Sequence, residues 1–337
     1  MEALRVGHPT PGDPMSEQRT FASLAWSMKG KVTRRERFLA QMDGVIPWSR
    51  LLKIIKPYYP KRGESGGQPK GLEKMLRIYF VQQWFDLSDP AAEDAIYDSE
   101  SIRRFVGVEL GDDDVPDEST ILRFRHLLEK HELTKAIFNE VRDLLEEKKL
   151  LVRAGTIVDA TIIAAPSSTK NREGKRDPAM RSTKKGNEWH FGMKVHVGTD
   201  LKGLVHTVVV TNAAEADVNQ LPDLMHGDEQ VLYGDKAYWC EPDRVAYEEA
   251  GVKYRVTRRG SKGKPLSKRW EQINHARSRV RAFVEHPLLV MKRLWGFRKT
   301  RYRGLAKNGA RAHTMLALAN LYRVRDRLLP EGAKCAL

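Results

Sequence analysis

The chain has 337 residues, 41% hydrophobic and 31% charged, enough to bury cores in roughly two domains and too polar for a membrane protein. No window approaches the ~20 consecutive apolar residues of a membrane span. Cys240 and Cys335 are the only cysteines, which excludes a disulfide framework and a cysteine zinc cluster and makes the cytosol the simplest compartment. The net charge of +15 is unevenly spread: residues 1–80 carry +8, 81–150 carry −9, 151–250 carry −3 and 251–337 carry +19. Such a basic block needs a polyanion, and nucleic acid is the natural partner, with Lys and Arg contacting phosphates and releasing counterions. Charge alone does not separate an enzyme from a packaging protein.

Residues 1–25 lack the apolar run of a signal peptide and read as a Pro/Gly-rich leader. Residues 26–150 read as an all-helical N-terminal domain for DNA binding, dimerisation or both. Short helical patterns end at "KPYYPKRGESGGQP", and "LEKMLRIYFVQQWFDLS" and "PAAEDAIYDSESIRRFVG" follow. Asp117 or Ser119 is placed to cap the helix over "ILRFRHLLEK", with Pro116 stopping the segment before it. The helices around "VPDESTILRFRHLL" fit a helix-turn-helix or, equally, a packing bundle.

Residues 151–330 read as an α/β domain, a mixed sheet flanked by helices. "GTIVDATII" is a strand, and "PSSTKNREGKRDPAMRSTKKGNE" is a polar, basic loop. "WHFGMKVHVGTD" and "LVHTVVVTNA" are strands joined at Lys202-Gly203. "DVNQLPDLM" is a short helix, "QVLYGDKAY" a buried strand, "EPDRVAYEEAG" a helix and "VKYRVTRRG" a further strand. A basic linker then leads into "RSRVRAFVEHPLLVMKR". Taken as a helix, this last segment puts Val280, Phe283, Val284, Met291 and Leu294 on a core-facing side, and Ser278, Arg281, Glu285 and Lys292 on the other. Pro287 should kink that helix or begin a new one.

Three carboxylates stand out. Asp159 sits inside an apolar strand, where burial is costly without a partner. Asp235 follows a strand end, where ligands gather in open α/β sheets. Glu285 is a lone acid among cations. Singly, each has an ordinary reading: a backbone-bonded carboxylate, a loop cap and a solvated ion pair. Together they suit magnesium, which prefers oxygen ligands from separate elements. Two such ions about 4 Å apart can activate water and stabilise the leaving oxygen in phosphodiester cleavage.

At these residues the chain resembles insertion-sequence transposases of the IS5 group, within the wider IS4-like DDE transposases. "TIVDATII", "SSTKN…RDP…KKGNEWHFGMKVHVGTD", "VLYGDKAY" and "RSRVRAFVEHPLLVMKRLWGFRKTRYRG" carry the resemblance across about residues 156–325. The family signature of Tyr, two residues, Arg, three residues, Glu, six residues and Lys is met by Arg281, Glu285 and Lys292, with Ser278 at the Tyr position. The resemblance implies an RNase H-like DDE catalytic domain, with Asp159 on the first strand, Asp235 at the end of the fourth and Glu285 on the following helix. It implies two Mg2+ ions, or Mn2+, held by these three acids. Only about 49 residues separate the last two acids, so the β-domain that some relatives insert there is expected to be absent or reduced to the linker.

Smaller signals complete the expectation. Trp189 either packs at a sheet edge or stacks on a base. His190, His196 and His206 alternate with apolar residues and read as hydrogen-bonded strand histidines rather than metal ligands. "LWGFRKTRYRG" interleaves Trp295, Phe297 and Tyr302 with Arg298, Lys299 and Arg301, which suits a DNA groove. Arg281 and Lys292 would hold phosphate. The expected protein is therefore a DNA transposase of the bacterial cytoplasm and nucleoid. It binds terminal inverted repeats and target DNA, presumes no membrane, and works as a homodimer in a synaptic complex. A non-transposing metal-dependent nuclease and a catalytically silent DNA-binding protein are the alternatives.

Overall fold

Side-chain caps set where the first helices begin. Thr33 and Glu36 form a reciprocal capping box, Ser88 accepts from the Ala91 N–H, and Asp117 accepts from the Thr120 N–H. The helices are α1 (Arg34–Val45), α2 (Trp48–Ile55), α3 (Leu72–Phe85), α4 (Asp89–Asp98), α5 (Glu100–Val106), α6 (Glu118–Lys130) and α7 (Leu133–Glu147). This computed structural model describes residues 28–329 except 62, 64–67, 111–112, 171, 173 and 261–262, so the expected leader lies outside the described residues. α3 is buried on nearly every side from Met75 to Trp84, and its Phe80 and Trp84 form an aromatic cluster with Trp48 and Phe105 at ring-centroid distances of 5.4–6.1 Å. The connection before α6 runs from 107 to 117, longer than the 3–4-residue turn of a helix-turn-helix. α6 instead buries Ile121, Phe124, Arg125 and Leu128 in the bundle, which favours the packing alternative.

The strands are β1 (Thr156–Ala164), β2 (Arg181–Lys185), β3 (Glu188–Thr199), β4 (Val205–Asn212), β5 (Val231–Tyr233) and β6 (Lys253–Tyr254). β1, β3 and β4 form an antiparallel set, and β5 and β6 join parallel to β1, giving a mixed sheet. β2 pairs with the outer part of β3, from Glu188 to Gly192. β2 lies within the stretch expected to be a polar, basic loop. Its five residues, "RSTKK", have an almost wholly exposed pattern and no apolar alternation, so only their partner makes them a strand. With β2 set aside, Asp235 follows the fourth strand of the mixed sheet, as expected.

The later helices are α8 (Leu221–Leu224), α9 (Glu241–Glu249), α10 (Lys268–Leu289) and α11 (Leu305–Leu328), with a π-helical turn at Val290–Leu294 after α10. α10 runs through Pro287 to Leu289 rather than restarting there. Its buried side is Val284, Pro287 and Leu288, while Phe283 and Leu294, expected in the core, are 43% and 54% exposed. Glu285 thus stands on the second helix after Asp235, because α9 intervenes. Among the described residues no inserted sheet lies between β6 and α10. α11 is buried on almost all sides and packs against α1, α3, α7 and β4, so a single apolar cluster runs from Leu39 to Leu329. A smaller cluster around Val158, Leu232, Tyr238 and Tyr254 fills the opposite face of the sheet. No described helix is long and apolar enough to cross a membrane.

Candidate active site

Strand alternation puts Ile157, Asp159, Thr161 and Ile163 on one face of β1. Ile157 and Ile163 are fully buried, and α10 lies across the strand. Asp159 is therefore set between two apolar anchors under a helix. The parallel register pairs Ile157 with Tyr233. Asp235, two residues beyond Tyr233, consequently comes level with Asp159, two residues beyond Ile157. The Asp235 carboxylate caps the short turn that follows, accepting from the Ala237 N–H at 2.8 Å. α10 supplies Arg281, whose guanidinium stands 3.8 Å from Asp159 and 3.2 Å from Glu285, and so bridges the two acids.

Burial pushes the Asp159 carboxyl up to about 6, and the charges of Asp235 and Glu285 push it the same way. The Ala160 N–H, 2.9 Å away, and Arg281 pull against that shift. The charges of Asp235 and Glu285 thus reach Asp159, and the side chain of Glu285 is 56% exposed. The π-helical turn carries Lys292 back over β1, where its ammonium donates to Thr161 Oγ1 at 3.0 Å and to the Ile162 carbonyl at 2.9 Å. Burial lowers the Lys292 pKa, and the charges of Lys185 and Arg298 lower it further. Ser278 lies half-buried about one turn before Arg281.

The remaining expected residues divide. Trp189 is 72% exposed on the hairpin, so it does not pack at the sheet edge. Arg298 and Lys299 are exposed. Arg301 is engaged internally, donating to the Leu87 carbonyl, to the Asp86 carbonyl at 2.5 Å and to Asp86 Oδ1 at 2.6 Å. Trp295 and Phe297 belong to the core, at 4% and 0% exposure, so those two aromatics do not line a groove. His196 meets Thr211 at 2.8 Å and His206 meets Thr156 at 3.1 Å, the hydrogen-bonded strand histidines expected. Thr161, which accepts from Lys292, was missed: a threonine in a strand carries no local signal of a site.

The oxygen donors of Asp159, Asp235 and Glu285 suit a hard divalent cation in kind. As arranged, Arg281 supplies the positive charge between two of them, and no described group of three His, Cys, Asp or Glu stands together as a formed metal cage. Carboxylates carried toward one sheet face by β1, by the end of β5 and by α10, with Arg281 and Lys292 beside them, suit metal-assisted cutting and joining of phosphodiesters. Comparison with known families narrows this. Residues 151–321 match the Transposase DDE domain family, and residues 26–127 match the family described as Transposase domain (DUF772). The chain belongs to the DDE transposases of the IS4/IS5-like kind, which act by metal-dependent DNA cleavage and strand transfer.

Among solved structures, the chain is similar to the Mos1 strand transfer complex at 12% identity and a TM-score of 0.27, covering 80% of this chain and 79% of that one. It is also similar to a Mos1 paired-end complex with the left transposon end, at 11% identity and a TM-score of 0.26, over 80% of each chain. A pre-cleavage Mos1 transpososome gives 12% identity and 0.25, over 90% and 97%. The family assignment rests on the sequence match.

Proposed function

We propose that this transposase belongs to the IS5 group, binds the terminal inverted repeats of an insertion sequence as a homodimer, and works on the bacterial nucleoid in the cytoplasm. The observation that supports its chemistry most is the level placement of Asp159 and Asp235 beneath Glu285, with Arg281 between the acids and Lys292 locked to the same strand face. Asp159, Asp235 and Glu285 would hold two Mg2+ ions, or Mn2+. When bound, such ions lower the pKa of water and offset charge on the leaving oxygen.

Hydrolysis breaks the phosphodiester at the element's end and leaves a 3′-hydroxyl and a 5′-phosphate. The 3′-hydroxyl then attacks a target phosphodiester, forming one P–O bond as another breaks, with no change in the number of bonds. Lys292 commits two of its three N–H donors to Thr161 and Ile162, leaving one for a phosphate oxygen. Arg281 can exchange its carboxylates for phosphate, and Arg298 and Lys299 extend the cationic rim. Trp189, exposed on the hairpin, is placed to stack on a base. Arg301 acts on DNA only through the loop it anchors to Asp86.

The test is cleavage and joining on a plasmid carrying the DNA that flanks the gene, with Mg2+ and with EDTA, for wild type, Asp159→Asn and Glu285→Gln. Metal-dependent nicks at the element boundaries, lost in both variants, support this reading. Nicks without regard to those boundaries identify a nuclease, and tight binding without nicks identifies a silent binder.

A further inference from the structure

The first half of α10 is stapled to the end of β6. Asn274 donates to the Arg258 carbonyl at 2.9 Å and accepts from the Arg258 N–H at 3.0 Å, and Arg277 donates to the Val256 carbonyl at 2.7 Å. This staple gathers three guanidinium groups. Arg258 lies 4.6 Å from the Trp239 ring centre and 4.1 Å from that of Trp270, and Arg277 stands 5.6 Å from Trp270. Arg255 and Arg277 line a cavity of about 300 Å3 with Lys253 and Tyr254. Glu248 is the one acid among the described residues lining it, and its carboxylate accepts from Arg244. Arg255 is exposed and has no hydrogen-bond or ion-pair partner among the described residues. The Nε groups of Arg258 and Arg277 are buried without a partner. Burial lowers the Arg277 pKa, and the charges of Arg255 and Arg258 lower it further, against the weaker pulls of Tyr233 and Glu248. Weak hydration and stacking let indoles hold a guanidinium, but they do not remove the repulsion between neighbouring cations. An anion seated between Arg255 and Arg277 would turn that repulsion into attraction, and the planar fork of a guanidinium suits phosphate oxygens.

The cluster lies beside the catalytic acids. The Arg255 N–H donates to the Leu232 carbonyl at 2.7 Å and the Thr257 N–H to the Gly234 carbonyl at 3.0 Å, so this strand end runs along the one that carries Asp235. On α10, Arg277 precedes Arg281 by four residues, about 6 Å of rise on the same side of the helix. Arg281 in turn contacts Asp159 and Glu285. We propose that Arg255 and Arg277, backed by the charge of Arg258, form an oxyanion site that holds one backbone phosphate of bound DNA, separate from the Lys292 contact. This deepens the transposase reading and rests on it for DNA as the source of the phosphate.

The test uses the full chain and an element-end duplex in which a single neutral methylphosphonate replaces each phosphate in turn. Wild type is compared with Arg255→Gln, Arg277→Gln and Arg277→Lys. Arg255 is exposed, so Arg255→Gln should melt as wild type does in chloride buffer. Should Arg277→Gln loosen α10, Arg277→Lys keeps a charge and a donor for Val256, and Arg255→Gln carries the test by itself. Neutralising one particular phosphate should cost wild type several-fold in affinity, and that cost should vanish in Arg255→Gln. The lost contact should also remove about 0.9 from the slope of log affinity against log salt. Inorganic phosphate, replacing chloride at constant ionic strength, should raise the melting temperature of wild type more than that of Arg255→Gln, a readout that needs neither DNA nor activity. An unchanged slope, with no duplex position whose cost depends on Arg255, overturns the proposal. A melting response to phosphate that Arg255→Gln loses, without any such duplex position, would show a site for free phosphate and overturn the DNA assignment. A wild type that binds the duplex without cutting it would instead count against the catalytic reading, and the dependence on Arg255 would still report on the oxyanion site.

Discussion

Burial, with the nearby charges of Asp235 and Glu285, raises the Asp159 carboxyl to about 6, whereas an unfolded aspartate titrates near 3.9. Between those values the folded protein binds more protons than the unfolded chain. Stability is therefore full below about pH 4 and falls as pH rises through 6. A shift of about two units corresponds to roughly 3 kcal/mol. Asp159→Asn should accordingly stabilise the metal-free protein by about 2–3 kcal/mol above pH 7 and little below pH 4, while abolishing cleavage. Thermal melts in EDTA from pH 4 to 8 read this directly, and a gap independent of pH would show that charge is not its source. His206 has the opposite sign. Burial holds its ring pKa down to about 3, so its contribution is lost as pH falls from about 6.5. His206→Gln should flatten the acid limb of the stability profile, measured by urea midpoints between pH 4 and 7.

Among the elements, α10 carries the most. Pro287 has no N–H, so the Phe283 carbonyl lacks its partner one turn on. The backbone of Gly203, in the β3–β4 turn at φ +79°, packs against that carbonyl, and a Cβ there would collide with it. Arg323 closes the same junction by donating to the Gly203 carbonyl and, at 2.9 Å, to the Lys202 carbonyl. Gly203→Ala should cost about 2–4 kcal/mol, from the left-handed backbone and from overpacking. Because relief of the clash moves α10, cleavage should fall further than DNA affinity; denaturant midpoints, binding and nicking assays on the same preparation test this. The π-helical turn after α10 is a second local irregularity, and it sets Lys292 over Thr161.

Across the whole molecule, α11 joins the helical bundle to the sheet. Its Asn320 side chain is fully buried and satisfies both backbone groups of Val205, donating to the carbonyl at 2.7 Å and accepting from the N–H at 2.8 Å. Asn320→Ala strands both groups and should cost about 2–4 kcal/mol. The shared core predicts that bundle and sheet melt together. Calorimetry should show one transition that shifts down in the variant, and two separated transitions would refute the coupling. The +19 block is also less available to DNA than its total suggests. Arg277 donates to the Val256 carbonyl, Arg301 and Arg311 to Asp86, and Arg323 to the β3–β4 turn.

Local chemistry decided much of this before any folding was known. Apolar patterning marked β1, β3 and β4, and hydroxyl and carboxylate caps marked helix starts, whereas Asp159, Asp235 and Glu285 each read as ordinary alone and stood out only as a set and through the family resemblance. The patterns and caps are legible because each depends on neighbours a few residues away. Tertiary structure alone decided the rest. The β1–β5 register brought Asp235 level with Asp159, and the crossing of α10 put Arg281 between two acids. Pairing with β3 made a strand of "RSTKK", and Asp86 turned Arg301 from an expected DNA contact into an anchor. In each case the deciding partner lies tens to hundreds of residues away, and the side chain alone carries no mark of which partner burial will give it.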